Sequence, residues 1–179
     1  MAFVGCHKGG DVTAQENKKT TPTVKDSKAV IALYKEVDSL TMAGKMDRKK
    51  MQQFVTDAVD YANAHPADTL SPHFLLYAGI TQMQVAFTNE NAQQRETQAL
   101  QSVRILENLR HGYPDYKNLS LAFFYKAQIY ENLGRTDEAK QAYWDLVHRF
   151  PDSELGKNIA AYLEADGYKK SADDIWQEF

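Results

Sequence analysis

Residues 120–151, SLAFFYKAQIYENLGRTDEAKQAYWDLVHRFP, decide how this chain folds. Apolar residues recur on both sides of Gly134 at the spacing of one face of an α-helix. Gly134 falls between these two segments, where a glycine can supply the turn between helices. Ala127 and Ala139 allow two helix backbones to approach closely, while Tyr130 and Tyr143 fill the space beside them. The stretch therefore predicts an antiparallel pair of helices.

The same stretch resembles a tetratricopeptide repeat, a helix–turn–helix unit of 34 residues. Counted from Ser120 as the first position, the chain matches the family at eight positions: Phe123, Ala127, Tyr130, Gly134, Ala139, Tyr143, Leu146 and Pro151. Lys126 departs from the leucine that the family prefers at the seventh position. The resemblance implies several stacked units, because one repeat cannot bury its apolar face alone.

Two further units precede this one at irregular spacing. Aligning Pro114 with Pro151 superposes Leu109 on Leu146, and Pro66 marks a weaker third copy. In the middle unit the polar segment Thr88–Thr97 is an insertion and is predicted to be a loop, with a partly helical start to the following helix as the alternative. Three units suffice for a stacked array, so we predict an all-α, TPR-like superhelix of about three helix–turn–helix repeats with capping helices at its C-terminal end.

Local signals predict where the helices begin and end. Gly44 ends the first helix, Asp47 caps the second, and Ser71 with Pro72 forms a capping pair for the third. Ser153, with Asp152 before it, begins a seventh helix. A short last helix from Ser171 is expected to cover the open end of the array with its apolar residues Ile175, Trp176 and Phe179.

Composition narrows the class of protein. The 179 residues argue for one folded unit. Only 9 glycines and 5 prolines disfavour a turn-rich β-structure. A net charge of −3 gives no reason to expect a nucleic-acid partner. The single cysteine excludes an intrachain disulfide and multi-cysteine metal sites.

The start of the chain suggests where in the cell the protein is located. The segment Phe3-Val4-Gly5-Cys6 resembles the end of a bacterial lipoprotein signal, in which the cysteine becomes the lipidated first residue. The resemblance implies lipidation at Cys6, and a lone unmodified thiol is the alternative. Residues 1–28 are interpreted as a disordered tether, since they hold few large apolar side chains, and residues 29–179 as the helical domain.

Catalytic patterns are absent from the sequence. His65, His111 and His148 fall at predicted helix C-termini, where the helix dipole favours a protonated imidazole. The chain has no metalloprotease helix, glycine-rich phosphate loop or nucleophile elbow. We therefore expect a protein that is not an enzyme, with no cofactor and no metal.

A surface is then the candidate for function. In tetratricopeptide arrays the first helix of each unit lines the concave side, and its side chains suit an amphipathic helix or an extended peptide. The resemblance points to these partner-binding residues: Leu75, Leu76, Phe124, Tyr125, Gln128, Glu131 and Asn132, flanked by Leu121, Gly79, Gln82 and Met83. The opposing interpretation, that Leu75, Leu76, Phe124 and Tyr125 pack between units, remains open.

Two functions are compatible with such a surface. Residues 146–153 resemble the repeat ends of bacterial outer-membrane assembly lipoproteins and of Tol-Pal coordinator proteins. This implies a non-catalytic scaffold for a protein partner, held on the periplasmic side of the outer membrane by a lipid. The alternative is a small-ligand or glycan-binding module with Phe124, Tyr125 and Tyr77 as stacking platforms.

Overall fold

The computed structural model describes residues 24–165, which contain seven α-helices and no strand. The helices are α1 Ser27–Met42, α2 Arg48–Ala64, α3 Ser71–Phe87, α4 Ala92–Gly112, α5 Leu119–Asn132, α6 Thr136–Arg149 and α7 Glu154–Ala165. Predictions about Cys6, about the tether up to residue 23, and about the last helix with Trp176 lie outside the described residues.

Short turns join the helices into antiparallel pairs, α1 with α2, α3 with α4 and α5 with α6. Each helix packs against the next one along the chain, and α3 also packs on α5. The buried side chains form two clusters, one among α1, α2 and α3 and one that extends from α2 to α7, and the partly buried Val59 and Ile105 pack against both. The predicted all-α array of helix pairs is confirmed.

Two of the turns share one glycine-based design. After α1, Gly44 has a φ of 69°, and the amide of Lys45 donates to the carbonyl of Leu40 at 2.8 Å. After α5, Gly134 has a φ of 72°, and Arg135 donates to Tyr130 at 2.9 Å. A left-handed residue at this position ends a helix by satisfying its last carbonyl groups. Both glycines therefore act as the sequence predicts.

The close approach of helices relies on small residues, as predicted. Ala127 and Ala139 are buried, Tyr143 is buried and Tyr130 is half-buried against the core. Between α3 and α4 a glycine serves the same purpose, because a Cβ on Gly79 would lie 2.6 Å from the Leu106 side chain.

The predicted loop Thr88–Thr97 is confirmed only as far as Asn91, and its remainder is the start of α4, as the alternative expected. The connection ends at Asn91, whose side-chain oxygen accepts a hydrogen bond from the amide of Gln94 at 2.9 Å and caps α4. The extra residues of this unit therefore lengthen its helices. The helices α3 and α4 have 17 and 21 residues, whereas α5 and α6 have 14 each.

The predicted helix cap at Asp47 is confirmed, and the helix cap predicted at Ser71 is wrong. The carboxylate of Asp47 accepts from the amide of Lys50 at 3.1 Å. Ser71 lies inside α3, fully buried, and its hydroxyl donates to the carbonyl of His65 at 2.6 Å. Its oxygen therefore ties α3 to the end of α2 and caps neither helix.

The last described helix, α7, meets the third pair through Ser153. Its hydroxyl donates to the carbonyl of Phe150 at 2.8 Å and accepts from the amide of Gly156 at 2.9 Å. Gly156 is needed here, because a Cβ would lie 2.1 Å from the Phe150 carbonyl oxygen. The predicted start of this helix at Ser153 is confirmed.

Candidate partner-binding surface

The first helices of the pairs form the inner side of the array. The helices α3 and α5 pack on each other, and the ring of Tyr34 on α1 lies 4.8 Å from that of Tyr77 on α3. The second helices splay apart, so that an open groove of about 600 Å³ separates α2 from α4. We call the side formed by α1, α3 and α5 the inner surface.

Tyrosines dominate the inner surface at its first two units. The rings of Tyr34 and Tyr77 pack at 39°, and Tyr34 also lies 5.2 Å from the buried Phe54. Burial raises the pKa of Tyr34 to about 12, and Tyr77, Asp38 and Tyr125 act in the same direction. Both side chains are half-buried. Each tyrosine can therefore offer a partner an apolar ring with a polar hydroxyl at its end.

A second aromatic group continues this row toward α5. The hydroxyl of Tyr116, which precedes α5, lies 2.9 Å from Nδ1 of His73 at the start of α3. Burial raises the pKa of Tyr116. On α5 the rings of Phe124 and Tyr125 meet edge to face at 5.5 Å. The row thus spans all three first helices.

The prediction that Leu75 and Leu76 contact a partner is wrong. Leu75 is 4% exposed and Leu76 is 1% exposed, and both belong to the core shared by α3, α4 and α5. They pack between units because α3 is covered by α2, α4 and α5. Gly79 and Gln82, expected beside them, are also buried.

Phe124 and Tyr125 occupy an intermediate position. Both are half-buried and pack against the core, and the Phe124 ring lies 6.4 Å from that of buried Tyr143. These two side chains therefore pack partly between units, as the opposing interpretation expects, and leave the rest of their surface exposed. Gln128, half-exposed one turn further along α5, follows them on the helix.

Glu131 has a structural task in addition to its place on α5. Its carboxylate accepts a hydrogen bond from the Tyr143 hydroxyl at 2.8 Å and from the Tyr162 hydroxyl at 3.1 Å. These bonds join α5 to α6 and α7. Burial, followed by the bond to Glu131, raises the pKa of Tyr143. Asn132 donates to the backbone oxygen of Gln128 at 2.7 Å within its own helix.

Sequence reasoning missed Tyr34, Tyr116 and His73 as members of the inner surface. The run from Phe74 to Ile80 is apolar throughout except for Tyr77, so periodicity does not reveal which side of α3 faces the inner surface. Tyr116 lies in a connection, where helical spacing gives no information. The signal that could have revealed this surface is the recurrence of tyrosine in or just before the first helix of successive units.

Another cleft lies where the inter-repeat connections meet. It has a volume of about 690 Å³, an apolar floor that includes Leu119 and Phe123, and a rim with Arg110, His148 and Arg149. The Arg110 guanidinium lies 6.0 Å from the centre of the Phe123 ring. Asp145 also lines the cleft, so its rim carries both signs of charge.

Within residues 24–165, no group of three histidine, cysteine or acidic residues is arranged to hold a metal ion. None of the helices in that range combines the length and apolar character required to cross a bilayer.

Comparison with known proteins identifies one unit of this array. Residues 121–153, which span most of α5, the turn after it, α6 and the residues up to Ser153, match the family model of the tetratricopeptide repeat. No curated protein and no solved structure matches the chain. Together with the seven helices, this match gives an all-α, TPR-like repeat fold. Such repeats generally mediate contacts between proteins through their extended concave surfaces.

Proposed function

We propose that this chain is a non-catalytic scaffold of the bacterial cell envelope that binds a protein partner on its inner surface. In this proposal a lipid on Cys6 anchors it to the periplasmic side of the outer membrane. The observation that carries the interaction is the half-buried aromatic row on the three first helices and on the connection before α5, formed by Tyr34, Tyr77, Tyr116, Phe124 and Tyr125. The sequence around Cys6 is the basis for the anchor.

The inner surface has the chemistry of a peptide groove. Aromatic rings supply large contact areas at low cost in side-chain entropy, and their hydroxyls can bond to a peptide backbone. Gln128 and Glu131 add amide and carboxylate groups along α5. This combination favours an extended or helical peptide with apolar side chains at intervals.

Site-specific photo-crosslinking in the native host tests this function. A photoreactive residue replaces Gln128 on the inner surface, and a matched variant carries it at Gln52, which is exposed on α2 and lines the outer groove. We expect one defined protein adduct from position 128 and none from position 52. Equal labelling at both positions, or no protein adduct from position 128, would contradict the proposal.

The anchor requires a separate test. When the gene is expressed from its full reading frame in a bacterial host with a labelled fatty acid, we expect the label in the parent chain and its loss in Cys6→Ser. The protein should also move from the membrane to the soluble fraction in that variant. An unlabelled parent chain would rule out the lipid while leaving the crosslinking result valid.

The competing function, a small-ligand or glycan-binding module, uses the same rings. The tilted contact between the rings of Tyr34 and Tyr77 leaves less ring face for a sugar than an isolated ring would offer. Titration calorimetry with saccharides separates the two functions. Saccharide binding that is lost in Tyr77→Ala, without a protein adduct at position 128, would favour the module.

A further inference from the structure

The end of α1 and its connection to α2 carry the two most exposed large apolar side chains among residues 24–165. Met42 is 85% exposed and Met46 is 46% exposed. They flank the glycine turn at Gly44. Neither methionine belongs to the buried core, so folding alone does not account for two large apolar side chains at this tip.

The equivalent turn of the third pair shows that the fold does not require them. When Gly44 is superposed on Gly134, Met42 corresponds to Asn132, which is polar and exposed. The connection between α5 and α6 is also two residues shorter, since α2 begins four residues after Gly44 and α6 begins two residues after Gly134. Met46 belongs to the longer connection.

The two turns also differ in the charges at the start of the helix that follows each of them. The first turn of α6 holds Asp137 and Glu138, which the positive end of the helix dipole favours. The first turn of α2 contains no acid and holds Arg48, Lys49 and Lys50. These cations oppose the dipole, so the charges in this first turn are the reverse of those in α6.

Local acids compensate only part of this positive charge. Lys50 pairs with Glu36, and Asp47 is occupied as the cap of α2. Lys45, Arg48 and Lys49 have exposed side chains and no ion pair within 4.0 Å among the described residues. The tip therefore presents apolar side chains beside uncompensated cations.

We propose that this tip, Met42 to Lys50, is a contact site for the surface of an anionic lipid bilayer. Exposed methionines can enter the boundary between headgroups and acyl chains, while the flanking cations attract anionic headgroups. A protruding turn suits a fluid interface, whereas a protein partner would need a cavity shaped to receive it. The proposal does not depend on lipidation of Cys6.

Co-sedimentation of the unlipidated full chain with vesicles tests the proposal. We expect binding to phosphatidylcholine vesicles that contain phosphatidylglycerol, little binding to phosphatidylcholine alone, and weaker binding at high salt. Arg48→Gln with Lys49→Gln should weaken binding about fivefold for each cation removed. Met42→Asn, which copies Asn132 of the third pair, combined with Met46→Thr should weaken it about tenfold.

Two matched variants exclude a general charge effect. Lys117→Gln with Lys157→Gln removes two exposed cations elsewhere, and Lys8→Gln with Lys18→Gln removes two from the tether. Both should bind vesicles like the parent chain. Loss of binding in these variants equal to the loss at the tip, or no binding to anionic vesicles at all, would overturn the proposal. A thermal melting temperature equal to or above that of the parent chain confirms that the tip variants are folded.

Discussion

The ammonium group of Lys126 on α5 lies 2.8 Å from a carboxylate oxygen of Glu107 on α4. The other oxygen of Glu107 accepts from Arg110 at 2.7 Å. Lys126 is the residue that departs from the leucine of the tetratricopeptide pattern. The structure shows the reason, since a charged bridge between two pairs of helices replaces an apolar contact.

Removing one partner of this bridge should cost more than removing both. Glu107→Leu leaves Lys126 in a site where only 23% of its side chain is exposed, and we expect a loss of about 2 kcal/mol in the free energy of unfolding. Adding Lys126→Leu should restore most of this loss, because the buried ammonium is then gone and Arg110, with 40% of its side chain exposed, can be solvated. Urea denaturation measures both values.

The exposed pair Glu36 and Lys50 provides the control for this experiment. Glu36→Leu should change stability by less than about 0.5 kcal/mol, since both side chains already reach solvent. A double variant of Glu107 and Lys126 that is less stable than Glu107→Leu alone would contradict the prediction.

Acid should weaken the same bridge. Burial raises the pKa of Glu107, but the hydrogen bonds from Lys126 and Arg110 outweigh it and hold the pKa below the ordinary 4.5. A lowered pKa in the folded state stabilises the protein above the ordinary pKa, and this contribution is lost as the pH falls through the folded value. We expect the stability difference between the parent chain and Glu107→Gln to be constant at neutral pH and to shrink below about pH 4.5. A difference that grows on acidification would contradict this sign.

Ser71 distinguishes a buried donor from a helix cap. Aspartate is a good capping residue, so a capping serine would tolerate Ser71→Asp. Because the Ser71 hydroxyl is buried and donates to the His65 carbonyl, we expect Ser71→Asp to lower stability by about 3 kcal/mol through burial of a carboxylate. At the true cap, Asp47→Ser should cost less than about 0.5 kcal/mol, since both residues accept the same amide bond. Thermal melting compares the two variants.

Gly156 should be indispensable for docking α7. Gly156→Ala would place a Cβ against the carbonyl oxygen of Phe150, and the helix must shift, at a cost of about 2 kcal/mol. Gly112 is the matched control, because its Cβ would meet no atom within 4 Å. Gly112→Ala should leave stability equal or slightly higher. Hydrogen exchange should report faster opening of α7 in the first variant alone.

The helices were predictable because their signals are local. Gly44, Gly134 and Asp47 each act through backbone groups within five residues, and the apolar spacing of α5 and α6 is regular. The error at Thr88–Thr97 has a physical cause as well. Polar residues on an exposed helical turn look like those of a loop, and only the cap at Asn91 marks the boundary.

The binding surface was less predictable because it depends on contacts between units. Leu75 and Leu76 fall at groove positions of the repeat, yet α3 is surrounded by three helices and buries them. The tyrosine hydroxyls that converge on Glu131 come from residues 12 and 31 positions away, and no spacing rule links them. Sequence periodicity reveals which face of a helix is buried. It does not reveal which neighbouring helices pack on that face.

The unequal length of the helix pairs limits how the domain can be re-engineered. At 1.5 Å per residue, α4 exceeds α6 by about 10 Å. The first turns of α4 hold Glu96, whose carboxylate lies 2.5 Å from the guanidinium of Arg135 in the following pair. Exchanging the central pair for a standard-length module would delete that overhang and leave Arg135 without its acceptor on α4. Grafts of consensus modules should therefore retain residues 92–97 as a spacer.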